Sequence, residues 1–231
     1  MRKVAIFVEG LTEQEFVVEL VSAIVGTRGL NVVLGRQWKG KVVLQASVVD
    51  PALDFLVLVV DCSNDEQVAT QIRDQYSSLV MSGYTAIIGL RDVYPFARTD
   101  IPAIQAGLVL TLPSGVVVPE MHLAIMEVEA WFLAESTHFL RVHPSLSSAF
   151  IVAGGIDVIG TNGDAWGHPA SVLHAIYKLV GMSYTNPNGR KTKRRVQRTL
   201  RALSFDELYV TVRGAIPAFD VFVTSLEAAL F

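Results

Sequence analysis

Runs of apolar, β-branched residues alternate with amphipathic stretches along the first half of the chain, each run about long enough for one strand. Lys3 to Val8 is the first, continuously apolar after its lysine, as a strand buried on both faces requires. Gly10 breaks it. Thr12 and Glu15 have capping-box spacing, and Phe16, Val17, Leu20, Val21 and Ile24 then recur with helical period as far as Gly26. Residues 30–36 and 41–49 predict two strands about the polar turn at Lys39-Gly40. Leu53 to Val60 predicts a second fully buried strand, ending in Asp61. The polar run Asn64 to Ser78 follows it, with Val68, Ile72, Leu79 and Val80 at helical spacing. A third buried strand, Thr85 to Leu90, ends at Arg91-Asp92.

Beyond it the pattern predicts a helix over Asp100 to Leu112, a short strand over Gly115 to Val118, and a helix from Pro119 to about Glu135. From Ser136 the texture turns to loops, with a helix near Ser171 to Val180 and a last one near Ala218 to Phe231. Asn186-Pro187-Asn188-Gly189 is a strong turn signal. Strands separated by helical stretches imply βαβ units. The expectation is an α/β fold with a mainly parallel sheet and helices on both faces, spanning residues 1–135. A more helical C-terminal extension, 136–231, packs on that core.

Composition narrows the classes. Of 231 residues, 51% are apolar and 18% charged, which excludes a disordered chain, a coiled coil and a collagen-like fibre. Mean hydropathy is +0.42, yet the longest unbroken apolar run, Phe55 to Val60, is far short of the ~18 residues a spanning helix needs. The opening apolar stretch is too short for a secretory signal, and a single cysteine fits a reducing compartment, so a cytoplasmic protein with no membrane partner is expected. Net charge is −3, unevenly divided. Arg190, Lys191, Lys193, Arg194, Arg195, Arg198 and Arg201 form a segment without an acid, leaving 12 basic against 22 acidic residues elsewhere. Such a segment either meets nucleic acid phosphates or is a solvated helix face.

In an open parallel sheet, ligands bind beyond the carboxyl ends of the strands. Glu9, Asp61 and Asp92 each stand there on a different predicted strand, and Glu13 and Asp65 follow the first two by four residues. Acids gathered at one rim repel by on the order of 4 kcal/mol per close pair at an effective dielectric near 20. A divalent cation compensates most simply, and hard oxygen ligands favour Mg²⁺ or Mn²⁺. The alternative is that acids end strands because strand ends are solvated. Glu129, on the predicted helix, shares its face with His122, Ile125, Met126, Phe132 and Leu133. A carboxylate there needs a partner. It either orients the site from behind or anchors a backbone turn or an arginine. No Walker-type loop and no dinucleotide fingerprint occurs, which argues against ATP and NAD as ligands.

Val8-Glu9-Gly10-Leu11-Thr12-Glu13, after its buried strand, resembles the opening motif of TOPRIM domains, the topoisomerase–primase fold. Val60-Asp61-Cys62-Ser63-Asn64-Asp65 falls where that fold carries an Asp-x-Asp pair. Leu90-Arg91-Asp92, Glu129-Ala130-Trp131-Phe132-Leu133-Ala134-Glu135 and Ile216-Pro217-Ala218-Phe219 resemble uncharacterised bacterial TOPRIM-clan proteins often encoded beside an ATPase in phage-defence loci. These are related to nucleases of the overcoming-lysogenization-defect type. The sequence departs from the pattern at Ser63, where the second Asp of the pair is expected, and Asp65 is the acid available to replace it. The resemblance implies a Mg²⁺- or Mn²⁺-dependent nuclease acting on DNA or RNA. Glu9 would be metal ligand or general base, Asp61 and Glu13 ligands, and an ATPase subunit the partner. The alternative is a catalytically silent TOPRIM-like subunit that binds nucleic acid or protein.

Overall fold

β1 (Arg2–Val8) is buried from Val4 onward, and the reason is its place in the sheet. The computed structural model describes residues 1–39, 41–64, 67–159 and 161–231, so Gly40 of the expected turn and Asp65 of the expected site lie outside the described residues. The chain divides into two compact units, one of residues 1–92, 99–123 and 221–231, the other of 93–98 and 124–220.

In the first unit, β1 leads through Gly10 into α1 (Leu11–Val25). β2 (Leu30–Trp38) and the short β3 (Lys41–Leu44) form an antiparallel pair. β4 (Phe55–Asp61) is buried at every position. α2 (Gln67–Met81), β5 (Ala86–Asp92), α3 (Ile101–Thr111) and β6 (Glu120–Ala124) follow. Among the described residues the sheet order is β3-β2-β4-β1-β5-β6, with β1 parallel to both β4 and β5 and β2 parallel to β4. The expected α/β class with a mainly parallel sheet flanked by helices is therefore observed.

Register separates the two faces. Ala5, Phe7, Leu58, Val60 and Ile87 pack with Val68, Ile72 and Leu79 of α2. The alternate residues of the same strands turn to the other side, where α1 buries Phe16, Val17, Leu20 and Val21 against β2 and β4. Gln14 fixes α1 on that side, because its Nε2 donates to the carbonyls of both Gly35 and Val59, at 2.8 and 2.9 Å.

In the second unit, α4 (Glu129–Ala134), α5 (His138–Val142), α6 (Ser148–Ala153), α7 (Pro169–Lys178) and α8 (Lys193–Ala202) surround a core containing Trp131, Phe132, Phe139, Leu173, Tyr177, Tyr184 and Leu200. Two single turns, α9 (Phe205–Glu207) and α10 (Arg213–Ala215), flank a π-helical turn, Leu208–Val212. α11 (Pro217–Leu230) ends the fold, with its residues from Val221 onward in the first unit.

The strand expected over 41–49 ends at Leu44, Thr12 lies inside α1, whose N-cap is Gly10, and two further expectations need correction. Residues 115–118 form no strand, and Val116 and Val118 are exposed. The helix expected from Pro119 to Glu135 is instead a strand, a turn and a short helix. Glu120–Ala124 takes the edge beside β5, and Met126 reverses the chain at φ 65°, which a continuous helix cannot accommodate. His122 is therefore on a strand and not on the helix of Glu129.

His138 makes stability sensitive to acid. It is fully buried, with its Nδ1 against the Glu135 carbonyl at 2.6 Å, and burial lowers its pKa from 6.5 to about 4. A neutral ring also means that its 3.9 Å approach to the Glu135 carboxylate is not an ion pair. The unfolded chain takes up this proton first as pH falls below 6.5, so the contribution is intact above that value and declines until about pH 4. Urea titrations at pH 7 and pH 5 should show His138→Asn sparing about 2 kcal/mol of the parent's loss. Equal losses in both proteins would contradict the assignment.

Candidate functional sites in the two units

The acidic rim lies at the carboxyl ends of β4, β1 and β5. Val8 pairs with Asp61 on one side and Leu90 on the other, so Glu9, Asp61 and Asp92 come within two residues of one level. Asp61 also pairs with Arg36 of β2, and the two side chains meet, Nε to Oδ2, at 3.5 Å. Ser63, in the left-handed region at φ 62°, turns its N–H onto Asp61 Oδ1 at 2.7 Å. Burial nevertheless raises the Asp61 pKa, outweighing the Ser63 N–H and the Arg36 charge that oppose it. Glu9 Oε2 accepts the Asp92 N–H at 3.2 Å, which links the ends of β1 and β5. Glu13 is buried and folds back, its Oε2 3.3 Å from where a Cβ on Gly10 would stand.

The structure thus brings Glu9, Glu13, Asp61 and Asp92 to one edge of the first unit. It does not merge them. Asp61 belongs to the row facing α1, whereas Glu9 is one residue beyond it. Among the described residues no group of three or more His, Cys, Asp or Glu side chains is arranged to hold a metal ion. A hard cation needs fewer, since Mg²⁺ typically keeps several waters and takes one or two carboxylates from the protein. Asp61 and Glu9 fit that demand, and the cation already at Asp61 is the side chain of Arg36, 65% exposed on a flexible stem. Cys62 is buried, and its thiol pKa is pushed up by burial and by Asp61, so it supplies no thiolate.

Glu129 lies in the second unit. It is completely buried, and its Oε1 accepts the Tyr184 hydroxyl at 2.7 Å and meets Lys191 Nζ at 2.6 Å. Its Oε2 is enclosed with no hydrogen-bond partner among the described residues. Of the roles open to it in the sequence, it serves here as an anchor, for a lysine rather than an arginine. Glu127 accepts the Ala170 N–H at 2.8 Å, and burial, then the Glu129 charge, raises its pKa.

This anchor divides the basic segment. Lys191 is committed to Glu129, and Arg190 and Lys193 are exposed. Arg194, Arg195, Arg198 and Arg201 line a groove of about 960 Å³ along α8. Arg198 is also structural, since its guanidinium lies 5.0 Å from the centre of the Tyr177 ring and donates to the Ser183 carbonyl at 2.7 Å. The sequence reading missed Asn186 and Gln197 on the groove wall. Asn186 belonged to a recognised turn signal, but nothing in a turn tells which side chains it presents to a neighbouring helix.

No family model, curated protein or solved structure matches the chain. The role of each site therefore rests on its own chemistry.

Removing Lys191 leaves the Glu129 carboxylate buried without its cation. Lys191→Met should cost on the order of 3–5 kcal/mol in denaturant unfolding, and adding Glu129→Gln should recover much of it. Additive losses in the double variant would mean that the pair is not coupled.

Proposed function

We propose that the chain is a divalent-metal-dependent phosphodiesterase acting on nucleic acid in the cytoplasm, with Mg²⁺ or Mn²⁺ held by Glu9 and Asp61. The observation that carries this reading is the delivery of carboxylates from β4, β1 and β5 to one sheet edge, with Asp61 and Asp92 almost closed to solvent. Carboxylates of one sign, partly removed from water, favour a cation among them. When bound, the metal would neutralise charge growing on the phosphoryl oxygens and supply hydroxide near neutral pH.

Each side chain has a task in this scheme. Asp61, its Oδ1 already fixed by the Ser63 N–H, presents Oδ2 once Arg36 moves aside. Glu9 is oriented by the Asp92 N–H and serves as ligand or general base. Glu13, buried behind Gly10, is a further ligand beside Glu9 and Asp61 in this proposal. Asp65 and Asp92 complete the proposed acid set. The ATPase partner and the role in phage defence that the TOPRIM resemblance implies belong to this proposal as its biological setting.

A second reading is favoured by one contact. The ion pair between Arg36 and Asp61 gives the acid a cation without a metal, as expected of a silent binding subunit. Calorimetric titration with Mn²⁺, beside plasmid nicking, separates the two. The enzyme reading expects binding and nicking in the parent and the loss of both in Glu9→Gln and Asp61→Asn, with folding unchanged by circular dichroism. A parent that neither binds Mn²⁺ nor nicks the plasmid would favour the silent subunit instead.

A further inference from the structure

We propose that the groove along α8 grips the sugar–phosphate backbone of a nucleic acid duplex without reading its bases. This deepens the nucleic-acid part of the reading above and is independent of any metal at the acidic rim.

The first ground is charge without counter-charge. Arg194, Arg195, Arg198 and Arg201 line the groove, and among the described residues no acid does. A second hollow of about 430 Å³, lined in part by His174 and Lys178, shares Arg195 and Asn186 with the first and also lacks an acid. Nη1 of Arg195 is enclosed without a hydrogen-bond acceptor among the described residues. Burial, aided by the charges of Arg195 and Arg194 and opposed by Tyr177, loosens the proton on Arg198. Guanidinium groups that line one groove gain from an anion among them, and a planar guanidinium fork suits phosphate oxygens.

The second ground is spacing. Arg194, Arg198 and Arg201 recur at four and three residues, on one face of α8. Seven residues of helix advance about 10 Å, which is the axial rise of roughly three nucleotides in one strand of a duplex. The row therefore matches successive phosphates rather than a single one.

The third ground is what the groove lacks. Proteins that hold single strands stack bases on aromatic rings. Among the described residues no aromatic lines this groove, and the nearby rings of Tyr177 and Tyr184 are unavailable for stacking because they are fully buried. Asn186, Gln197 and Thr192 add hydrogen-bonding groups, which suit sugar and phosphate oxygens. A duplex, whose bases stay stacked inside, is the form of nucleic acid that such a surface meets.

Fluorescence anisotropy with a labelled 20-base-pair duplex, and with one of its strands alone, tests this in EDTA, where the acidic rim contributes no metal. Arg194 and Arg201 are exposed and have no hydrogen-bond or ion-pair partner among the described residues, so Arg194→Gln with Arg201→Gln should leave the fold intact. The parent should bind the duplex more tightly than the single strand, with little change between unrelated sequences. The double variant should bind more weakly and lower the slope of log K against log salt by about two, near 0.9 for each phosphate that is no longer neutralised. No duplex binding by the parent, tighter binding of the single strand, or an unchanged slope in the double variant would overturn the inference. Nicking with Mn²⁺ is read separately, so loss of this groove and loss of the metal site give different results.

Discussion

Because β1 pairs in parallel with β4 on one side and β5 on the other, with Val8 opposite both Asp61 and Leu90, the acids after these strands arrive at nearly one level. Parallel pairing is what makes this possible, since an antiparallel neighbour would send its following residue to the opposite edge. The pairing is secured by burial on both faces, and Val4 to Val8 and all of β4 are inaccessible or nearly so. A slip of one residue would exchange the α1 and α2 faces of β1 and send Phe7, packed with the α2-side core, to the opposite face. The same forces that hold the core thus set the positions of Glu9, Asp61 and Asp92.

The polar contacts at this edge are secondary, and they explain why the acids are tolerated. Gln14 ties α1 to carbonyls of β2 and β4, so the turn that carries Glu13 has a fixed origin. Asp61 receives an N–H and a guanidinium, and Glu9 receives an N–H. These reduce the cost of holding carboxylates with little water around them. The raised pKa of Asp61 shows that the compensation is incomplete.

The strands that position the rim were legible because they are uniform. Val4 to Val8, Phe55 to Val60 and Ala86 to Leu90 are runs without a polar side chain, followed by Glu9, Asp61 and Arg91-Asp92, and a run buried on both faces leaves little ambiguity. Legibility failed at residues 119–135 for a physical reason. The apolar positions there satisfy a helical period, and the choice of strand for Glu120–Ala124 is made by the open edge of β5, a tertiary partner that no local pattern contains. Glu129 showed as a buried acid in need of a partner, but the partner could not be named. Lys191 and Tyr184 are distant in sequence, and only the fold brings them to its Oε1.

That pairing also explains why the basic segment is not one uniform charged face. Glu129 draws Lys191 inward, while Tyr177 and the Ser183 carbonyl hold Arg198 against the core. With Lys191 and Arg198 fixed, the helix between and beyond them has little freedom to rotate. Val196 and Leu200 then fall on the buried side, and Arg194 and Arg201 remain in solvent. A solvated face needs no such anchoring, because exposed lysines and arginines gain little from being held in one orientation. A surface that meets phosphates would gain from a helix held in one orientation, since its arginines then share one face without a further ordering cost to the helix. The buried carboxylate of Glu129 is thus the link between the hydrophobic core of the second unit and the chemistry of its surface.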